Sequence, residues 1–304
     1  MRPPVGITLG DPAGIGPEIV IKALQQVAHR RLLLIGPAEV LKREAARLKV
    51  SLPPVALYDT GAVGDYQYGR VQKNCGVAAL QALEAGATLL KQNRISALVT
   101  APVSKSALRL AGFRFPGQTE FLARRLHARR YAMLAWSPQF RVIFVTIHLP
   151  LARVARQITS ARVREKIILL NEYLQLEGIE QPVIGVLALN PHADEFSLGE
   201  EQRIRQAIIQ VRRKNIRAEG PLPADSIFVN LDRFHGFVAM YHDQAMIPAK
   251  LLARGAGVNV TLGLNRIRTS PLHGVAFDIA GQHRADPGSM LAAIRLALKL
   301  SARF

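Results

Sequence analysis

With one cysteine, Cys75, in 304 residues, an intramolecular disulfide is excluded, and the position of that thiol at the start of a helical pattern gives it a structural rather than a reactive role. No apolar run approaches the length needed to cross a bilayer. The opening stretch Met1 to Gly10 passes almost at once into a strand pattern and lacks the long apolar region and small-residue cleavage site of a signal peptide, so a cytoplasmic protein without membrane attachment is expected. Acidic residues are scarce: 22 Asp and Glu against 40 Lys and Arg leave a formal net charge of +18. That balance admits nucleic acid as a partner through counterion release. However, the basic residues are dispersed, and the densest groups, Arg124-Arg125 with Arg129-Arg130 and Arg212-Arg213-Lys214, fall on or beside amphipathic helices. No helix-turn-helix, RNP or zinc-finger pattern aims them, so small anionic substrates are the better reading. Repeats, low-complexity tracts and disordered linkers are also missing, which leaves a hinge between covered sheets as the form of any domain boundary.

What is present is alternation. Strand patterns at Val5 to Leu9, Leu32 to Ile35, Val55 to Tyr58 and Ala97 to Val99 are separated by helical periodicity, the signature of a parallel sheet with covering helices. After the first strand comes Gly10-Asp11-Pro12-Ala13-Gly14-Ile15-Gly16-Pro17-Glu18, whose glycines lack the G-x-G-x-x-G spacing of a dinucleotide fingerprint. An anion or cofactor loop is one reading, and on spacing alone a strand-to-helix turn is slightly the better one. Tyr131 to Trp136 and Arg141 to Ile147 read as an antiparallel hairpin in an otherwise alternating chain, and Val183 to Leu189 as a further strand. Gly257 to Leu264 alternates like a strand, Ile267 to Gly274 reads as a polar loop, and Ser289 to Leu300 as a closing amphipathic helix.

The chemistry gathers where strands stop. Gly236 to Met240 ends in Tyr241-His242-Asp243-Gln244, with Lys250 eight residues beyond the histidine. His148 closes the Arg141 to Ile147 run, and His192 follows Asn190-Pro191. Ligands of α/β sheets bind at such ends, and three imidazoles from separate parts of the chain suit one metal ion with an open position. The alternative, that each histidine is satisfied by its own neighbours, is not excluded by sequence separation. Lys105 stands at another strand-to-helix junction, and Thr119 is a candidate helix cap or ligand-binding hydroxyl.

Several motifs in fixed order carry a family resemblance: the Gly10 to Glu18 loop, Ala101-Pro102-Val103-Ser104-Lys105, His148-Leu149-Pro150-Leu151, Asn190-Pro191-His192-Ala193, Gly220-Pro221-Leu222-Pro223-Ala224-Asp225, Tyr241-His242-Asp243-Gln244 and Gly257 to Gly263. Together they resemble the 4-hydroxythreonine-4-phosphate dehydrogenase family of pyridoxal phosphate biosynthesis. The resemblance implies an α/β fold of the isocitrate/isopropylmalate dehydrogenase kind, with mostly parallel sheets, two domains and an interdomain cleft. One domain is expected over 1–118 plus 257–304, and the other, with the histidines and dimer contacts, over 119–256. It also implies a homodimer with shared active sites and NAD- or NADP-linked oxidation of a small phosphorylated hydroxy acid to a β-keto acid that decarboxylates. The divalent metal, zinc first and magnesium or cobalt as alternatives, is expected on His148, His192 and His242. Substrate contacts are expected at Gln118, Thr119, Lys250, Asn259 and Arg268, with Asp243 and Lys105 as candidate proton acceptors. Two positions depart from the pattern: Gln118 replaces the family's histidine, and Asp194 to Leu198 replaces a longer glycine-rich loop. Because glutamine cannot carry a proton or positive charge, 4-phosphothreonate or 4-phosphoerythronate is an alternative substrate. A homologue that binds metal or nucleic acid without catalysis is the alternative of another class.

Overall fold

Short apolar strands alternating with amphipathic helices pack as covered sheets, and the computed structural model, which describes residues 2–303, shows where each sheet begins and ends. Residues up to Arg130 together with those from Gly255 onward form one compact unit, and Tyr131–Arg254 form a second. The reading of the sequence put these crossings at 118/119 and 256/257.

The first unit starts with β1 (Val5–Thr8), α1 (Gly16–Leu24), β2 (Leu32–Ile35), α2 (Ala38–Leu48), β3 (Ala56–Tyr58), α3 (Lys73–Lys91), β4 (Ala97–Thr100), α4 (Lys105–Leu110) and α5 (Gln118–Arg125). The second unit contains β5 (Ala132–Trp136), β6 (Arg141–Phe144), α6 (Val154–Gln157), α7 (Ser160–Leu176), β7 (Val183–Leu187), α8 (Glu200–Arg212), β8 (Arg217–Leu222), α9 (Ala224–Ile227), β9 (Gly236–Ala239) and α10 (His242–Ala253). The chain then returns to the first unit with β10 (Val258–Leu262), β11 (Ile267–Pro271) and α11 (Gly288–Ser301).

In the first unit the strand order is β3-β2-β1-β4-β11-β10, parallel except for the antiparallel β10–β11 pair. Both faces of β1 and β4 are buried, as their continuous apolar composition requires. Leu83, Leu90, Leu98 and Phe121 fill the core between α3, β4 and α5. Of the expected polar loop at 267–274, only 272–274 are loop; residues 267–271 are instead β11, a fully buried strand between β4 and β10. Its polar side chains find partners inside the unit, so their polarity does not drive them to the surface: Thr269 Oγ1 donates to the Ala293 carbonyl at 2.9 Å, and Arg268 reaches two threonines described below.

In the second unit the order is β5-β6-β9-β7-β8, with the expected antiparallel β5–β6 hairpin followed by parallel pairs. Phe140 and Phe237 stack at 5.3 Å in its core. Near them, buried Glu177 accepts hydrogen bonds from Trp136 Nε1 at 2.6 Å, Tyr173 Oη at 2.7 Å and Arg141 Nε at 2.6 Å. Gly220 to Asp225, read from its Gly and Pro content as a turn-rich approach, begins within β8, an edge strand where Pro221 leaves no central ladder bond unmade.

The loop joining β1 to α1 owes its glycines to close packing. Gly10 has φ 75°, and a Cβ there would collide with the Pro102 carbonyl oxygen; one on Gly16 would collide with that of Leu9. Among the described residues no helix is long and apolar enough to cross a membrane.

Candidate functional site

In the first unit, polar groups collect beyond the carboxyl ends of β1 and β4 and along β10 and β11. Arg268 is only 3% exposed. Its Nη2 donates to Thr100 Oγ1 at 2.7 Å and its Nη1 to Thr261 Oγ1 at 3.1 Å. No carboxylate makes an ion pair with it among the described residues. Burial lowers its pKa to about 10, and the charge of Glu120 acts in the opposite sense. The guanidinium thus stays charged at neutral pH with donors to spare, a state that suits an incoming anion.

Gln118 is the first residue of α5 and Thr119 the second, while Gly117 occupies the cap position in an extended conformation. Thr119 is therefore not the cap, and its half-buried hydroxyl is not committed to that role. Gln118 Nε2 donates to the Ala101 carbonyl at 3.4 Å, which leaves Oε1 buried and unpartnered. Asn259 Oδ1 on β10 is likewise buried without a partner. Two acceptors in this state call for a ligand that brings donors. Lys105, the exposed first residue of α4, extends its Cε to within 4.0 Å of where a Cβ on Gly117 would stand. That places the ammonium stem beside the start of α5.

The reading of the sequence did not single out Asp11, next to Gly10. It is fully buried; Oδ1 accepts from the Ala13 amide at 2.9 Å and Oδ2 has no partner. Burial raises its pKa to about 6, against hydrogen bonds from the Ala13 and Ser104 backbone that act to lower it. It also helps burial push the Cys75 thiol up to about 12, so that thiol stays protonated. The strand-end position that drew attention to the histidines applies equally to Asp11, but its burial is a tertiary effect. Since the folded carboxyl holds its proton at a pH where the unfolded one has lost it, stability is expected to fall as pH rises from about 4 through about 6, by on the order of 3 kcal/mol. Asp11→Asn should remove most of that slope in urea unfolding midpoints taken across the range; identical slopes in the two proteins would reject this assignment.

The second unit holds the three histidines. His148 lies four residues past the end of β6 and His192 five past β7, both with left-handed φ, 50° and 53°. Holding a non-glycine residue there costs about 1 kcal/mol, though histidine tolerates it better than most. His242 is the first residue of α10. Its ring centre is 5.7 Å from that of His148, with a 40° tilt, and 5.9 Å from Phe144. Its Nδ1 lies 2.7 Å from Asp243 Oδ1. That contact engages Nδ1 and leaves Nε2 as the ring nitrogen without it. Asp243, a candidate base in the sequence, thus stands as the orienting partner of His242.

The 5.7 Å between their ring centres places the His148 and His242 imidazoles next to each other. His192 packs on Phe196 at 6.0 Å instead. Among the described residues no group of three or more His, Cys, Asp or Glu side chains is arranged to hold a metal within one chain. Lys250 is exposed further along α10.

Mostly parallel sheets with reactive groups beyond their strand ends, imidazoles in one unit and a buried guanidinium in the other, define an α/β enzyme for a small ligand. The chain matches the pyridoxal phosphate biosynthetic protein PdxA family over residues 17–297, and it belongs to that family. It is 39% identical to a 4-hydroxythreonine-4-phosphate dehydrogenase of Desulforapulum autotrophicum, covering 97% of this chain and 95% of that one. It is 38% identical to a D-threonate 4-phosphate dehydrogenase of Cupriavidus necator, covering 99% and 98%. A solved 4-hydroxythreonine-4-phosphate dehydrogenase from Burkholderia phymatum superposes with a TM-score of 0.85 at 38% identity, covering 99% of this chain and 98% of that one. The fold alone is shared with a beta-decarboxylating dehydrogenase of Thermococcus kodakarensis, at 16% identity and a TM-score of 0.54, over 98% of this chain and 83% of that one. The protein is a dehydrogenase of the α/β class with an isocitrate-dehydrogenase-like fold.

Proposed function

We infer that the protein oxidises the secondary alcohol of 4-hydroxythreonine 4-phosphate, with NAD or NADP as acceptor, to a β-keto acid that loses carbon dioxide to give 3-amino-2-oxopropyl phosphate. The observation that carries this reading is Arg268, a buried guanidinium without a carboxylate partner, in the same unit as two unpartnered amide oxygens. Arg268 and Lys250 suit the anionic groups of such a substrate, the first as a planar fork and the second as a point charge. Gln118 Oε1 and Asn259 Oδ1 suit its hydrogen-bond donors, and the Thr119 hydroxyl adds a neutral contact. Lys105, whose stem lies beside the start of α5, is the proton acceptor in this reading. A divalent cation, with zinc favoured by an all-imidazole set, would supply Lewis-acid stabilisation of charge on a substrate oxygen, and a bound nicotinamide would be the hydride acceptor. His148, His192 and His242 are the residues for that cation, with Asp243 holding the His242 ring.

A homodimer accords with the surface of the second unit. Six large apolar side chains, Leu149, Leu151, Phe196, Leu198, Ile247 and Leu251, are exposed within nine residues after the three histidines, Leu198 and Leu251 at 88% and 72%. An apolar surface of this kind is expected to be covered by a second copy, which would also bring a second set of imidazoles.

Gln118 favours a second reading, 4-phosphothreonate or 4-phosphoerythronate, because an amide offers no charge where the family's histidine does. The test is a panel of these phosphorylated hydroxy acids with NAD and NADP, following reduced nicotinamide and carbon dioxide. Reduction that stops on chelation is expected, and a panel with no turnover would overturn the function. Gln118→His should raise kcat/KM on 4-hydroxythreonine 4-phosphate about tenfold, the difference between a neutral and a charge-assisted hydrogen bond. A gain confined to the other acids would favour the second reading.

A further inference from the structure

The three histidine-bearing segments are tied together through side chains outside the imidazole set. Met240, just past β9, has both backbone groups held: its N–H donates to Gln244 Oε1 at 2.7 Å, and its carbonyl accepts from Thr146 Oγ1 at 2.8 Å and from the Thr146 amide at 3.2 Å. Gln244 Nε2 in turn donates to the Ala188 carbonyl, just past β7, at 2.6 Å. An amide N–H on one side and a carbonyl on the other settle which end of the Gln244 side chain is which. Beyond Ala188, buried Glu201 Oε1 accepts from the Leu189 amide at 3.1 Å and the Asn190 amide at 2.9 Å. The outcome is regular: His148, His192 and His242 each stand two residues beyond a member of this bracket, Thr146, Asn190 and Met240.

We propose that Gln244 is a positioning residue that fixes the strand ends bearing His192 and His242 relative to one another, so that these two imidazoles are arranged before a cation arrives; this rests on the reading of those histidines as cation ligands given above. Gln244 is the one side chain in the bracket that spans two strand ends, β9 and β7, by itself. A simpler role exists for a glutamine at the third position of a helix, which is to close the helix start by accepting a nearby backbone N–H. That role accounts for the Met240 bond and leaves the Ala188 bond unexplained.

The two roles separate in Gln244→Glu, which keeps an acceptor for Met240 and suits a helix start, but turns an oxygen toward the Ala188 carbonyl. Gln244→Leu removes both bonds. With the full-length metal-free protein and zinc ion alone as probe, competition against a chromophoric chelator should show affinity lowered roughly 10–100-fold in both variants, the usual size for groups behind metal ligands. Hydrogen exchange of the metal-free proteins should quicken about five- to tenfold over 188–192 in both variants, and over 240–242 in Gln244→Leu only, at unchanged global unfolding midpoints. A Gln244→Glu protein with wild-type zinc affinity and wild-type exchange at 188–192 would reduce Gln244 to a helix cap and overturn the proposal. His148→Ala is the control for the parent reading. If it and the wild type take up zinc equally, or neither does, the histidine assignment fails and the positioning role fails with it.

Discussion

Replacing His242 with alanine is expected to abolish cation uptake and to lower kcat/KM by about three orders of magnitude. The size follows from the several kcal/mol that a bound cation contributes to charge stabilisation, at about 1.4 kcal/mol per factor of ten. His242 is the best-defined of the three rings, held at Nδ1 by Asp243, flanked by Phe144 and facing His148. Without it, His148 loses the imidazole it faces. The ring is only part-buried, so the fold should survive and the far-ultraviolet circular dichroism should not change. Metal content by mass spectrometry and turnover, measured on one preparation, decide the matter. A variant that keeps one zinc per chain while losing activity would make His242 a proton carrier instead.

Arg268→Met is expected to separate activity from stability. In the proposed role the fork's two spare donors bind a substrate anion, and removing them should lower kcat/KM by roughly 10²–10⁴. Stability should hold. Burial of the guanidinium, seen in a pKa lowered to about 10, represents on the order of 3 kcal/mol spent against the fold. The variant recovers that cost and forfeits three bonds, two to Thr100 and one to Thr261, about 1 kcal/mol each, so the two effects nearly cancel while methionine keeps much of the aliphatic packing. Urea unfolding and kinetics on the same protein test both halves. A loss of several kcal/mol in stability would recast Arg268 as a structural strut.

These two residues also mark what could be read in the sequence. His242 was visible because an apolar run ending in His, Asp and Gln is a local pattern, and the strand and helix it joins are local too. Its neighbour His148 lies far away in sequence, and only the parallel pairing of β6 with β9 brings the rings together. Arg268 stood in what read as a polar loop, because Arg, Thr and Ser in succession do not show that each has a buried partner waiting. Of the two roles open to Thr119, helix cap or ligand-binding hydroxyl, the first falls to Gly117, whose extended conformation gives no polar signal in the sequence. Asp11 shows the same limit: burial and an unpartnered oxygen come from the segment after β4, which the local sequence does not reveal.

The long insertion between β4 and β11 has a consequence for how the protein is made. As the chain leaves the ribosome, β4 can pair with β1 early, but its other edge has no neighbour until Ile267 has been synthesised. Through that interval the nascent chain carries an apolar central strand with one bare edge, open to pairing with other chains.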